Sequence, residues 1–452
     1  MNRNQPVRPS LRLAVAAVAA GLLSLSSPLV SSARADDGAR IAALEAKIAA
    51  LEAQQGAQQT RIDGSLAQSR AIDAAIADAN TKGRLLLADG FTSGWDEGFK
   101  IGSADGNYLI QPFVEFQFRN VTNYTDAGDG DQSNFENGFE ARRFKFGVKG
   151  NAFSKDFTYQ FRLSTDRSTG DVAPDNAFVQ YQFADNWGVR LGQYKLNWYR
   201  EETTSDTRQL TAERSLLNQV LGGTNTSYVQ GVALLYGNKN LPFRGEVQFT
   251  DGDNTANTNF TDQQGSTEND YQDFGLAVRG EYKLMGDWKA YEDFTARKTA
   301  DRLFVIGGGA DWAQGGDGDV YRFTADAQYE TPNGLSAFAA AVYTVAEGDI
   351  PDADLDDSIG GLVQVGYLLP NAKDWEVFGR YDIVHLDDTV GGEDDFHEIT
   401  VGVNRYYFGH NAKLTLDAGY YPNGTPESAG GLGLTNDQDE QIVVRAQFQL
   451  VL

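Results

Sequence analysis

The sequence predicts an all-β fold: a 16-stranded antiparallel transmembrane β-barrel with an N-terminal α-helical coiled-coil segment. Three observations predict it. Between Tyr108 and Leu452, apolar and polar residues alternate one for one through about sixteen short stretches, as in strands with one oily and one wetted face. The connectors between these stretches are alternately short and long. Tyr108, Tyr159, Tyr181, Trp187, Tyr282, Tyr329, Trp375 and Tyr420 fall near strand ends, where interfacial girdles lie; a soluble sandwich would instead need a second apolar layer.

Taken in order, the chain opens with Arg3, Arg8 and Arg12 ahead of an apolar run at 13–25, then Ala33, Arg34 and Ala35, so residues 1–35 read as a secretory signal peptide. Residues 36–82 read as a periplasmic coiled coil, because Ile41, Leu44, Ile48, Leu51, Gln55, Gln58, Ile62, Ser65, Ser69, Ile72 and Ile76 recur at heptad spacing. A solvated single helix is the alternative, and Gly56 and Gly64 weaken either helix. Residues 83–107, rich in glycine and acid, read as a linker into the barrel at 108–452. The chain has no cysteine, which excludes disulfides and thiolate metal sites. Its formal charge is −25, and loss of the signal peptide would take it to about −29.

Within the barrel, Phe157, Tyr159, Phe161 and Leu163 alternate with Thr158, Gln160, Arg162 and Ser164. At the end of the chain, Ile442, Val444, Phe448 and Leu450 oppose Arg445, Gln447 and Gln449. Short turns are expected near 151–155, 184–186, 237–241, 331–334, 370–373 and 408–411, with 285–301 the one long exception. The opposite end carries longer loops near 122–138, 165–174, 197–226, 251–271, 313–318, 346–358, 387–396 and 422–440. A barrel of this strand number is wide enough for an aqueous channel.

The third loop, 197–226, is the longest. It mixes Arg200, Glu201, Glu202, Asp206, Arg208, Glu213 and Arg214 with apolar Leu210, Leu216, Leu217 and Val220, which favours burial inside the barrel over a surface position. The predicted wet face is mixed as well. Arg119, Arg143, Lys145, Lys149, Arg162, Arg190, Arg244, Arg279, Arg322, Arg380, Lys413 and Arg445 share it with Glu115, Glu246, Asp273, Glu281, Asp326, Glu376, Asp382, Glu398 and Asp417. The candidate constriction and selectivity residues are Arg143, Lys145, Lys149, Arg162, Arg190, Arg200, Glu201, Glu202, Arg208 and Arg214.

Two segments carry a resemblance. Glu140 to Gly150, continuing through Lys155, Asp156 and Phe157, resembles the Arg-Arg, Gly-x-x-Gly, Asp-Phe hairpin of the phosphate-selective porin O and P family. Leu191 to Leu196, with Glu201 to Ser205 and Glu213-Arg214-Ser215, resembles that family's fifth strand and constriction loop. The resemblance implies a homotrimer of outer-membrane channels, some with a short N-terminal coiled coil, passing small anions or polar solutes by diffusion. Isoleucine and leucine at the heptad core favour two strands in isolated coils, so a dimeric coil stays open beside the trimer. The mixed wet face departs from the arginine ladder of phosphate-selecting members, and Leu452 replaces their terminal aromatic residue.

The outer loops carry Asp126, Asp129, Asp131, Asp349, Asp352, Asp354, Asp356, Asp357, Asp387, Asp388, Glu393, Asp394 and Asp395. Screening over about 8 Å leaves selectivity to residues at the constriction, so a weak anion preference is expected, with a cation-preferring or general porin as the alternative. The acidic loops could also hold divalent cations that bridge to outer-membrane lipid headgroups. Residues 251–262 partly match a calcium-loop spacing but lack its central glycine. Two further classes are weighed, a barrel enzyme and a structural envelope tether. His385, His397 and His410 are the only histidines, and no serine nucleophile motif accompanies them. Gly307-Gly308-Gly309 lies inside a strand, where it would let a loop approach the wall. No catalytic residue, metal site or cofactor is expected, and no basic stripe suits nucleic acid.

Overall fold

The computed structural model describes residues 90–95, 98–125, 134–223, 228–252, 274–315, 318–348, 357–387, 394–426, 431–435 and 437–452, together with 49, 56 and 59. The chain divides into two compact units, Met1–Leu86 and Leu87–Leu452. In the first, Ala49, Gly56 and Gln59 are helical. The signal peptide, the rest of the coiled coil and the 253–262 part of the calcium-like loop lie outside the described residues, as do most of the acidic loop tips.

The second unit begins with a hairpin, β1 (Phe91–Trp95) and β2 (Phe99–Ser103), inside the stretch expected to be a linker. It extends the sheet through Ile101↔Ile110 and Gly102↔Leu109. The barrel follows: β3 (Leu109–Thr125), β4 (Asn134–Asn151), β5 (Phe157–Thr165), β6 (Val172–Ala184), β7 (Trp187–Lys195), β8 (Tyr228–Tyr236), β9 (Phe243–Thr250) and β10 (Phe274–Met285). Its second half is β11 (Leu303–Gly315), β12 (Gly318–Glu330), β13 (Leu335–Gly348), β14 (Ser358–Leu369), β15 (Ala372–His385), β16 (Asp395–Tyr406), β17 (Ala412–Tyr421) and β18 (Gln441–Val451). Each strand pairs antiparallel with the next, and β18 closes on β3 from Gln441↔Thr125 to Val451↔Glu115. The barrel therefore has the sixteen strands read from the alternation.

Burial is inverted relative to a water-soluble domain. On β18, Gln441, Arg445, Gln447 and Gln449 are buried while Ile442, Val444 and Phe448 are exposed, and the same holds around the wall. Exposed alternating apolar faces suit hydrocarbon, and closure leaves no unpaired strand edge within it. At the end bearing the short turns, aromatic rings touch in series: Tyr108–Phe153 (5.8 Å), Phe153–Phe157 (6.1 Å), Phe157–Tyr181 (6.3 Å), Trp187–Tyr236 (4.8 Å) and Tyr236–Phe243 (6.0 Å). Such a belt marks a membrane–water interface.

Candidate pore constriction

The third loop leaves β7 at Lys195 and turns into the barrel. Trp198 and Tyr199 are fully buried and precede a single helical turn, α1 (Arg200–Thr203). Glycines on the wall admit this entry. A Cβ at Gly309 would lie 2.2 Å from the Trp198 carbonyl oxygen, and one at Gly360 would lie 2.3 Å from Leu217 Cδ1. The triple glycine thus does what its place in a strand suggested. Leu210, Leu216, Leu217, Val220 and Leu221 then join Phe338, Ala340, Val342, Leu362, Phe378 and Val384 in one buried cluster. Here the inward faces of β13 to β15 carry these apolar residues because they meet the loop and not water. At about 1.5–3 kcal/mol per side chain, those five loop residues contribute on the order of 10 kcal/mol, an upper bound that still describes a firmly docked element.

Charge fixes the register of that docking. Glu213 receives three guanidinium groups: Arg119 Nη1 at 2.6 Å, Arg142 Nε at 2.6 Å and Arg143 Nη2 at 2.7 Å. Two consecutive arginines of one strand reach the same side because the register slips between Gln117↔Arg143 and Phe118↔Ala141, leaving Arg142 as a bulge. Asp206 binds Arg214 Nη1 (2.5 Å), Lys145 Nζ (2.7 Å) and Arg143 Nε (3.4 Å). Glu202 pairs with Lys195 and, at 3.4 Å, with Arg214. Glu201 accepts from Ser215 N (2.9 Å) and Ser215 Oγ (2.5 Å). Burial alone would raise the pKa of all three acids Glu202, Asp206 and Glu213. The cations outweigh it, holding Asp206 and Glu213 well below the usual carboxylate range and Glu202 at about 2.

The mixed wet face also has a structural use. Wall carboxylates accept hydrogen bonds from loop amides: Asp417 from Ala212 N (2.8 Å), Glu398 from Leu216 N (2.8 Å) and Asp382 from Leu217 N (3.0 Å). These acids satisfy backbone donors that the irregular loop would otherwise bury unpaired.

The long turn at 285–301 enters from the opposite end. Its Trp288, Tyr291 and Phe294 are buried, with Phe294 against Phe338 at 4.7 Å and Thr295 Oγ1 donating to Glu376 at 2.7 Å. It meets the third loop at two points. The Arg200 guanidinium stacks 3.9 Å from the Tyr291 ring centre, and Arg208 Nη1 pairs with Glu292 at 3.0 Å in a solvent-exposed contact.

Two open spaces flank this junction. The larger, about 680 Å³, runs along β5 to β10 and is lined by Arg162, Arg190, Lys195, Arg200, Lys239, Arg244 and Arg279 against Asp206, Glu246 and Glu281. The smaller, about 420 Å³, lies at the short-turn end and includes Lys149, Arg208, Lys289, Arg297 and Lys298 beside Glu115, Glu292 and Asp293. The candidate residues therefore divide. Arg162, Arg190 and Arg200 line the larger space, and Lys149 and Arg208 the smaller. Arg143, Lys145, Glu201, Glu202 and Arg214 line neither and serve as ties between loop and wall. Sequence reasoning passed over Arg142 and Glu213 as a latch, although the Arg-Arg pair and the Glu-Arg-Ser stretch were both visible. It also gave no role to the 285–301 turn beyond its length. His385 and His397 bond to Asp395 (2.9 Å) and Tyr381 (3.0 Å), not to each other.

The latch and the loop it holds are the two segments of the resemblance, and residues 114–269 match the family model described as phosphate-selective porin O and P. Residues 114–269 thus carry that family's pattern within a barrel of porin-like fold. That match and the barrel fold support an outer-membrane channel. An uncharacterized protein of Aquifex aeolicus (strain VF5) is 23% identical over 322 residues, covering 68% of this chain and 74% of its own length. Among solved structures, Salmonella typhi OmpF in complex with daunomycin aligns with TM-score 0.53 and 14% identity over 80% of this chain and 100% of that one. An anion-selective porin from Comamonas acidovorans gives TM-score 0.53 and 12% identity over 76% and 99%. Pseudomonas putida OprB gives TM-score 0.53 and 10% identity over 76% and 94%. At these identities the likeness is one of fold.

Proposed function

We propose that this protein is a passive diffusion porin whose water path follows the β5 to β10 wall and prefers anions. The observation that carries the reading is the lining of the larger space, seven cationic side chains against three carboxylates. Charges at the narrowest part of a pore act at short range, whereas outer-loop acids are screened over about 8 Å in physiological salt. The ten candidate residues then divide, with the five docked ties setting bore width, Arg162, Arg190 and Arg200 setting the sign of selectivity, and Lys149 and Arg208 lining the smaller space at the short-turn end. A non-enzymatic role is part of this reading: His385 and His397 are half-buried and take Asp395 and Tyr381 as their partners, not each other. We assign residues 36–82 to a periplasmic coiled coil from their heptad spacing, and a homotrimer as the assembly.

The reversal potential of the purified protein in a planar bilayer across a potassium chloride gradient tests the reading. Chloride should permeate faster than potassium. A potential of the opposite sign would favour the cation-preferring alternative, in which acids of the outer loops dominate, and absence of ion steps would remove the channel reading altogether.

A further inference from the structure

The cations of the larger space are not equivalent. Arg190 pairs with Glu246 at 2.9 Å, Arg162 with Asp175 at 3.2 Å and Arg279 with Asp326 at 2.8 Å, while Lys195 and Arg244 are tied to Glu202 and Glu281. Arg200 differs. It is 6% exposed, yet among the described residues it forms no ion pair. Its Nη2 donates to the Tyr291 carbonyl and, at 3.4 Å, to Gln328, whereas its Nε is buried without an acceptor and its Nη1 bonds to no described residue. Of the two carboxylates whose field it shares, Glu281 is already divided between Arg244 and Arg279, and Glu330 accepts from Thr299 and Gln328. A buried guanidinium without a direct ion-pair partner is costly to maintain, and its unbonded Nη1 is open to an anion from solution.

Tyr291 and Phe294 already pack against the Arg200 guanidinium, at 3.9 and 5.3 Å, and the lining of the space it faces selects the kind of anion. Phe178, Tyr194, Leu235 and Trp288 line the same space, and guanidinium groups already lie on three of these rings: Arg190 is 5.2 Å from the centres of Phe178 and Tyr194, and Arg244 is 4.3 Å from that of Trp288. Hydrogenphosphate carries about two charges and wants several free donors, which one uncompensated arginine cannot supply. A monocarboxylate matches one guanidinium, and a planar apolar body can lie on the aromatic and stacked-guanidinium surfaces.

Resting on the anion-diffusion reading, we propose that the space around Arg200 is a binding station for aromatic monocarboxylates in preference to inorganic phosphate. The full-length protein is placed in planar bilayers, and block of the chloride current is titrated with benzoate, acetate and phosphate. Benzoate should reach half-block at a concentration lower than acetate by about tenfold, the size of one aromatic contact, and lower than phosphate as well. Arg200→Gln should abolish benzoate block. Phe178→Leu, which keeps an apolar side chain of similar bulk, should bring benzoate to the level of acetate. Stronger block by phosphate than by benzoate, or benzoate block unchanged in both variants, overturns the proposal. The two readings fail separately: a cation-selective reversal potential sinks the anion path, whereas an anion-selective channel blocked equally by all three probes sinks only the station.

Discussion

Replacing Glu213 by Gln keeps the shape of the latch and removes its charge. Three guanidinium groups then share a neutral amide, but not all are stranded, since Arg119 keeps Glu140 at 2.5 Å and Arg143 keeps Asp206 at 3.4 Å. Breaking one partner of a buried pair costs about 3–5 kcal/mol; the remaining partners and the partial exposure of Arg142 and Arg143 reduce this to roughly 2–4 kcal/mol. That is less than the order of 10 kcal/mol from the loop's apolar side chains, so the loop stays inside, but its transient opening becomes about 30- to 700-fold more frequent. Trypsin cleavage after Arg208 or Arg214 in detergent, followed by mass spectrometry, reads this opening when reclosing outpaces cleavage. Glu140→Gln is the control, because its carboxylate is 28% exposed and its loss should cost under about 1 kcal/mol. If Glu213→Gln is cut no faster than the control, the latch does not hold the loop.

Gly309→Ala should cost about 1–3 kcal/mol, because the new methyl meets the Trp198 backbone at 2.2 Å and not a movable side-chain tip; the thermal unfolding midpoint of the refolded barrel checks this. Acid should leave the docked loop intact well below neutrality. Glu202 has a folded pKa near 2 against an ordinary 4.5, so its contribution is complete above 4.5 and is lost only as pH falls through about 2, with Asp206 and Glu213 behaving alike. Single-channel conductance should then hold steady from pH 7 to about pH 3, and a step near pH 4 to 5 would contradict it. Val444→Arg, on the exposed face of β18, should destabilise the barrel by about 2–4 kcal/mol in lipid if it lies near the bilayer midplane, measured by refolding titration.

How far the sequence could be read follows from where its periodicity was physically forced. Ile442, Val444 and Phe448 had to face hydrocarbon, so alternation located β18 and its fellows with little ambiguity. The lumen obeys no such uniform rule. Phe338 and Val342 point inward and are apolar, and the arrival of Leu210, Leu216 and Leu217, with Phe294 against Phe338, explains them. Arg142 could not be placed by counting, since a single bulged residue reverses the parity of everything before it. The hairpin of Phe91–Trp95 and Phe99–Ser103 is too short and glycine-rich for a period to emerge. The loop's mixed charge was a fair sign that it belonged inside, but which of its charges faced open space depended on contacts from strands distant in sequence, as Asp206 with Lys145 shows.

The docked loop has one more consequence, for anyone who would enlarge this bore by trimming. Excising residues 197–226 would uncover Val342, Leu362, Phe378 and Val384 along the inside of the tube, interleaved with Arg380, Asp382 and Glu398, which would lose their loop partners. Charges fixed on a pore wall act on passing ions at short range. Trimming would therefore widen the bore and at the same time expose charges that the loop had satisfied, so that current and ion preference would change together.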